Sequence, residues 1–151
     1  VIRIEIDGSE SLIRALQAKP EQSRRALVRA LFMVGQIVRN KAVNGIRKGP
    51  KTGRLYKRGG VKHRASAPGE YPAANLGALM RSVDTEVNEL SLHVDVGTAL
   101  KYGEYLETKD PARGGRPWLS RAFSETREEV AAALIAAIQA VFGADRKVTR
   151  L

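Results

Sequence analysis

Residues 1–6 alternate in polarity, with Val1 or Ile2, Ile4 and Ile6 set against Arg3 and Glu5. That period of two predicts a short half-buried strand, closed by Asp7-Gly8. Ser9 is placed to cap a short helix carrying Leu12, Ile13 and Leu16, which Pro20 interrupts. Pro20 also suits the first turn of a longer helix, with Glu21 at its positive end. Leu27, Leu31, Val34 and Val38 then follow at helical spacing, flanked by Ala30, Met33 and Ile37, and Gly45 offers a stop. Such a helix would be roughly 35–40 Å long. Residues 81–86 and 90–96 read as two strands joined at Asn88-Glu89, with Leu92, Val94 and Val96 alternating with Ser91, His93 and Asp95. His93 falls on the polar side of its strand, where an exposed structural role is expected. Residues 99–107 fit either a strand or a helical turn anchored by Leu100, Tyr102, Tyr105 and Leu106. Residues 109–115 read as a flexible turn. Pro117 opens a last helix with a stripe of Leu119, Phe123, Thr126, Val130, Leu134, Ala137 and Val141, and Gly143 ends it.

Between the first long helix and the sheet lies a stretch of another kind. From Arg47 to Arg64 the chain carries eight Lys or Arg residues and no acid. Gly49-Pro50, Gly53, Gly59-Gly60, Pro68-Gly69 and Pro72 interrupt it too often for a helix or regular strand to continue. With so little apolar surface it cannot offset the entropy of ordering itself, and a loop this long is rarely kept without a use. Residues 47–75 are therefore read as an extended basic arm. Its expected contact residues are Lys51, Arg54, Leu55, Tyr56, Lys57, Arg58, Lys62 and Arg64.

The last helix changes character halfway. Arg121 and Glu125 can pair one turn apart on its outside. From Val130 to Phe142 it has no charge, and six of the thirteen residues are Ala. A helix apolar on all sides must be covered on all sides. Either it is sandwiched within the subunit, or it is a self-association surface through Leu134, Ala136, Ile138 and Val141.

Composition narrows the classes. A chain of 151 residues suits one domain, with residues 143–151 as a flexible tail. The net charge of +10 favours polyanions or acidic protein surfaces as partners. The absence of cysteine excludes disulfides and thiolate metal sites, and two histidines are too few for a His-based one. No apolar run approaches the ~18 residues of a membrane span, and no signal-peptide pattern heads the chain. The expectation is a protein made and used in the cytoplasm, or in something assembled there.

No phosphate-binding glycine loop, hydrolase triad or metal-ligand cluster appears, so no cofactor is expected. The sharpest enzymatic alternative is a metal-dependent nuclease using Asp95 with Glu107-Thr108-Lys109. Acid-x-Lys triplets arise by chance in a chain this charged, and Glu104 with Glu107 reads better as surface acid. A DNA-binding module is a second alternative, but Tyr56 is the lone aromatic among the basic residues in this first part of the arm.

Several runs resemble the tail-completion and head–tail joining family of long-tailed bacteriophages and prophages. They are Lys51-Thr52-Gly53-Arg54-Leu55-Tyr56, then His63-Arg64-Ala65-Ser66-Ala67-Pro68-Gly69-Glu70-Tyr71-Pro72-Ala73, then Leu76-Gly77-Ala78-Leu79-Met80-Arg81-Ser82-Val83. Val96-Gly97-Thr98, Tyr102-Gly103-Glu104-Tyr105-Leu106-Glu107 and Arg116-Pro117-Trp118-Leu119 continue the likeness, which covers residues 20–142. One departure is Leu76-Gly77-Ala78-Leu79, where the family commonly has Thr-Gly-Arg-Leu. The resemblance implies a non-enzymatic structural protein of the virion neck, assembled in the host cytoplasm. Its partners would be further copies in a closed ring, neighbouring neck and tail-tube or tail-terminator proteins, and passing DNA. Six copies would match the symmetry of a tail tube. The fold expected from the elements is α+β: two long helices on one face of a small antiparallel sheet, with the arm projecting between the first helix and the sheet.

Overall fold

The computed structural model describes residues 1–5, 17, 20–73 and 77–142. The short helix expected around residues 9–16 and the tail expected at 143–151 lie outside the described residues. The fold is α+β. In chain order the elements are β1 (Ile2–Glu5), α1 (Pro20–Lys48), β2 (Leu55–Arg58), β3 (Val61–Arg64), α2 (Ala78–Ser82), β4 (Val83–Asn88), β5 (His93–Thr98), α3 (Lys101–Thr108) and α4 (Leu119–Phe142). A 3₁₀ turn at Pro111–Arg113 precedes α4.

The main sheet is antiparallel with β5 in the centre, in the order β1-β5-β4. Register sets Ile4 against Val94, and Thr85 against Val96. Strand alternation then sends Ile4, Val83, Val94 and Val96 inward, where all four are buried. Arg3, Glu5, Asp84, Glu86, His93 and Asp95 stand on the other face. Both strands after the arm begin later than the alternation alone places them. Arg81 and Ser82 are taken up by α2, where the Ser82 hydroxyl donates to the Leu79 carbonyl and meets Thr98 Oγ1 at 2.6 Å. The connection between β4 and β5 is tightened by Asn88, whose Oδ1 accepts from the amides of Leu90 and Ser91.

The helix α1 lies over β4 and β5, and α4 packs chiefly along α1. Leu27, Leu31, Val34 and Val38 are buried as their spacing predicts, and Ala30, Ala42 and Ile46 extend the same stripe. Met33, expected at its flank, is 62% exposed. At 29 residues α1 is about 43 Å long. Gly45 does not stop it; the helix runs three residues further and ends before Gly49-Pro50. Tertiary packing explains the difference. A Cβ at Gly45 would overlap the edge of the Tyr71 ring, so glycine here is a notch for an aromatic side chain.

Residues 101–108 resolve as a helix rather than a strand. Of the expected anchors Tyr102 and Tyr105 are exposed, while Gly103 is the buried position, set against Leu79, Thr98 and Trp118. The last helix, α4, begins at Leu119 and buries Leu119, Ala122, Thr126 and Val130. Among the described residues no helix is long and apolar enough to cross a membrane.

Gly45→Ala tests the notch. Alanine gains about 1 kcal/mol of helix propensity, while overlap with the pinned Tyr71 ring costs about 2–3 kcal/mol. The expected net result is a destabilisation of about 1–2 kcal/mol in urea unfolding. A stabilised variant would show that the ring yields freely.

Candidate partner-binding hairpin and its support

The basic arm is not a structureless loop. Its first part is a two-stranded antiparallel hairpin, β2 with β3, paired from Leu55 with Arg64 to Arg58 with Val61. Gly59 and Gly60 make the turn with φ of 55° and 80°, the double left-handed conformation of a two-residue type I′ connection. Glycines that read as breakers in one dimension are thus the turn that permits the strands. The two strands pack chiefly on each other. Leu55 is 50% and Val61 59% exposed, and Lys57, Arg58, Lys62 and Arg64 are all exposed. Tyr56 stacks on His63 with ring centroids 5.7 Å apart. Lys51 lies at the root, with Nζ donating to the Arg47 carbonyl, and Arg54 is exposed beside it.

A two-stranded ribbon of this length is marginal alone. What fixes it is the second part of the arm, residues 65–73, which packs onto the body. Gly53 donates to the Ala65 carbonyl, and Ala65 donates to that of Arg54. Glu70 clasps both legs. Its carboxylate accepts from the Thr52 hydroxyl at 2.6 Å, the Thr52 amide at 3.1 Å and the Ala67 amide at 2.7 Å. The Thr52 hydroxyl, then the Ala67 and Thr52 amides, hold the Glu70 carboxyl below its usual range.

Beneath the clasp, Arg116 grips Ser66. Its Nε donates to Ser66 Oγ and its Nη2 to the Ser66 carbonyl, both at 2.7 Å, while Nη1 holds the Gly114 carbonyl. Ser66 is buried, so these bonds are made away from water, where a charged donor counts for more. Tyr71 is buried with its ring in the Gly45 notch, its hydroxyl donating to Glu125 and the Arg121 guanidinium stacked 4.9 Å from the ring centre. Burial, and then the Glu125 charge, push the Tyr71 hydroxyl up to about 12. Glu125 also takes Lys41 at 3.0 Å and the expected partner Arg121 at 2.8 Å. The Arg121 bond and, against desolvation, Lys41 keep its carboxyl low.

The same joint sets the start of α4. Trp118 is buried and donates Nε1–H to the Gly103 carbonyl at 3.0 Å. Glu107 accepts from the amides of Trp118, Leu119 and Ser120, satisfying three donors that no helical carbonyl can reach. Burial pushes the Glu107 carboxyl up, but the bonds from Ser120, Leu119 and Trp118 outweigh it and hold the group low. Its stabilisation is therefore present above about pH 4.3 and is lost as pH falls through the lowered folded value.

The residues considered for metal-dependent cleavage have separate partners. Asp95 takes a two-pronged bond from Arg3 at 2.8 and 2.9 Å, fixed by the β1–β5 register. Glu107 caps α4. The Lys109 ammonium bonds Tyr105 Oη at 2.6 Å, and the Thr108 hydroxyl donates to the Glu104 carbonyl. His93, expected to be exposed, has a side chain only 13% exposed, held between Ser91 Oγ and Asp95. Among the described residues no three His, Cys, Asp or Glu side chains gather as a metal site.

The second candidate surface is the apolar half of α4. Val130 is buried, but Ala131, Ala132, Ala136, Gln139 and Ala140 are exposed, and Ile135 is 42% exposed. Leu134 and Ile138 are half-buried, and the Val141 side chain lies outside those described. One side of the segment rests on the subunit, and the other is open.

Ser66, Glu70, Tyr71, Arg116 and Trp118 had no physical role legible along the chain, and Glu107, expected as a surface acid, is instead the cap of α4. The signal for them was present only as runs: the Pro-flanked Gly-Glu-Tyr turn and the Arg-Pro-Trp-Leu helix start. Comparison with protein-family models, curated proteins and solved structures finds no match.

Arg116→Lys keeps the charge and removes the fork. Hydrogen exchange at the Gly53 and Ala65 amides should accelerate about tenfold or more, while the Val94 and Val96 amides stay protected. Equal protection at all four would show that the hairpin root is held without Arg116.

Proposed function

We propose that the chain is a structural subunit of a bacteriophage neck, acting in tail completion or head-to-tail joining. In this role it assembles with copies of itself and docks its basic hairpin on neighbouring subunits or tail proteins. One observation carries the reading. The two runs that carry the resemblance most specifically, Ala65 to Glu70 and Arg116 to Leu119, are far apart in sequence yet meet in one joint at the hairpin root, where the nearby run Tyr102 to Glu107 joins them. Residues that resemble a family only as strings therefore share one mechanical task, presenting an exposed ribbon in a fixed direction. The open side of α4 supports the assembly half of the proposal, since small side chains let helices approach closely and a bare apolar strip commonly marks an interface. The positions Leu134, Ala136 and Ile138 lie in that segment.

A DNA-binding role has its own observation, the Tyr56–His63 stack set among cations. The two uses differ in salt response. Phosphate contacts weaken steeply with salt as counterions are released, whereas a hairpin anchored also by Leu55, Tyr56 and Val61 on protein keeps its hold.

The direct test replaces Lys57, Arg58, Lys62 and Arg64 by Ser in the phage or prophage that encodes the chain. Filled heads and complete tails that fail to join, or joined particles that leak DNA, are the expected result under the electron microscope. Normal yields of stable infectious particles would overturn the proposal. For the helix surface, Ala136→Glu places a charge at an exposed position, so the subunit should fold with unchanged circular dichroism yet fail to assemble in sedimentation. Assembly at the wild-type concentration would place the contact elsewhere.

A further inference from the structure

Charge is distributed very unevenly over this subunit. On the hairpin, strand alternation puts Leu55, Lys57, Lys62 and Arg64 on one face, and the register sets Lys57 directly opposite Lys62. Like charges facing each other across a pair of strands oppose the pairing. No acid within the hairpin relieves them, because residues 47–64 contain none. The ribbon is thus built with an internal repulsion that an anionic surface would remove.

The structure holds such a surface in the outer face of the main sheet. Glu5, Asp84 and Glu86 are exposed there, on a chain whose overall charge is +10. Arg3, the cation of that face, is spent on Asp95 in the row that also contains Glu86, so Glu86 stands at the outer end of the row. The strand that carries Asp84 and Glu86 is also an open edge. Among the described residues β4 pairs only with β5, so its other side has no strand partner. Of its backbone groups the Val83 carbonyl accepts from Arg39 Nε and the Thr85 amide donates to Asp84 Oδ1, which leaves the second Asp84 oxygen and Glu86 for a partner. An open edge of this kind takes up an extended segment by main-chain hydrogen bonds, with side chains setting partner and register. The hairpin has the form to supply it, being already extended and exposed, with no third strand at its outer edges among the described residues.

We infer that the β4 edge of one copy receives the β2–β3 hairpin of the next, extending the three-stranded sheet and seating Lys57, Lys62 and Arg64 over Asp84 and Glu86. The inference rests on the self-assembly proposed above. Donor ribbon and acceptor edge are different surfaces of one chain, so the contact is heterologous and repeats from copy to copy until it closes. The main-chain bonds supply attraction independent of salt, and the charges choose the edge and the direction of approach.

The test uses the lack of native cysteine. One full-length chain carries Lys62→Cys and a second carries Glu86→Cys, both at exposed positions. Sedimentation of the unmodified protein is measured beside them. A short bismaleimide should couple the mixed pair into a covalent dimer at least about tenfold faster than either chain with itself. In addition, Lys57→Glu with Lys62→Glu should weaken self-association about tenfold. Adding Asp84→Lys with Glu86→Lys to the same chain should recover most of that loss. Assembly without the mixed cross-link, or without recovery in the charge swap, overturns the hairpin-to-edge contact and leaves assembly standing. An unmodified chain that stays monomeric at high concentration overturns the assembly proposal and this one together. Loss of DNA retention on hairpin charge reversal, with assembly unchanged, assigns the ribbon to DNA and also overturns the inference.

Discussion

The ring of Tyr71 in the notch at Gly45 is the contact on which the arrangement depends. It ties three parts of the chain together: the last turns of α1, the segment that follows the hairpin, and the first turns of α4 through Glu125 and Arg121. A larger residue at position 45 or a smaller one at 71 would part these elements, since close-packed interiors accept neither overlap nor voids cheaply. The hydroxyl keeps its proton first because burial disfavours the phenolate, and then because the phenolate would stand beside the negative charge of Glu125.

Around that contact the ionic side chains divide into two groups. Glu70, Asp95, Glu107 and Glu125 are all committed to hydrogen bonds within the subunit, and each has its carboxyl held low by them. Arg3, Lys41, Arg116 and Arg121 are their counterparts or neighbours in the same joints. The cations of the hairpin belong to the other group. They do not fasten the fold, and the cross-strand pairing of Lys57 with Lys62 works against the ribbon that carries them. Charge that costs stability locally is best understood through what it meets outside the subunit.

Much of the architecture was legible along the chain because burial leaves a period. The stripe of α1 and the alternation of β5 follow from spacing alone, and so does the α+β class, while Pro117 marks the approach to α4, which begins at Leu119. What spacing misses is decided by residues distant in sequence. Gly45 reads as a helix stop until Tyr71 is placed against it. Residues 101–108 are ambiguous because their buried position is a glycine, which carries no hydrophobic signal. The hairpin escapes notice because both turn residues are glycine and its strands, bathed in solvent, have no buried face to alternate. The candidate surface residues on the hairpin were visible as charge, whereas Ser66, Glu70 and Arg116, which aim them, acquire meaning only as partners.

Trp118 gives the molecule a built-in observer. It is the single tryptophan of the chain, enclosed where α3 meets α4 and bonded through its indole N–H to the Gly103 carbonyl. Its fluorescence accordingly reports one joint and nothing else. Emission stays blue-shifted while that joint is closed, and moves red when water reaches the indole. An event confined to the tip of the hairpin leaves the signal silent. One that pulls on Ser66, and through Arg116 on the chain leading into Trp118, changes it. The intrinsic light of the protein thus separates partners that merely touch the ribbon from those that tug on its root.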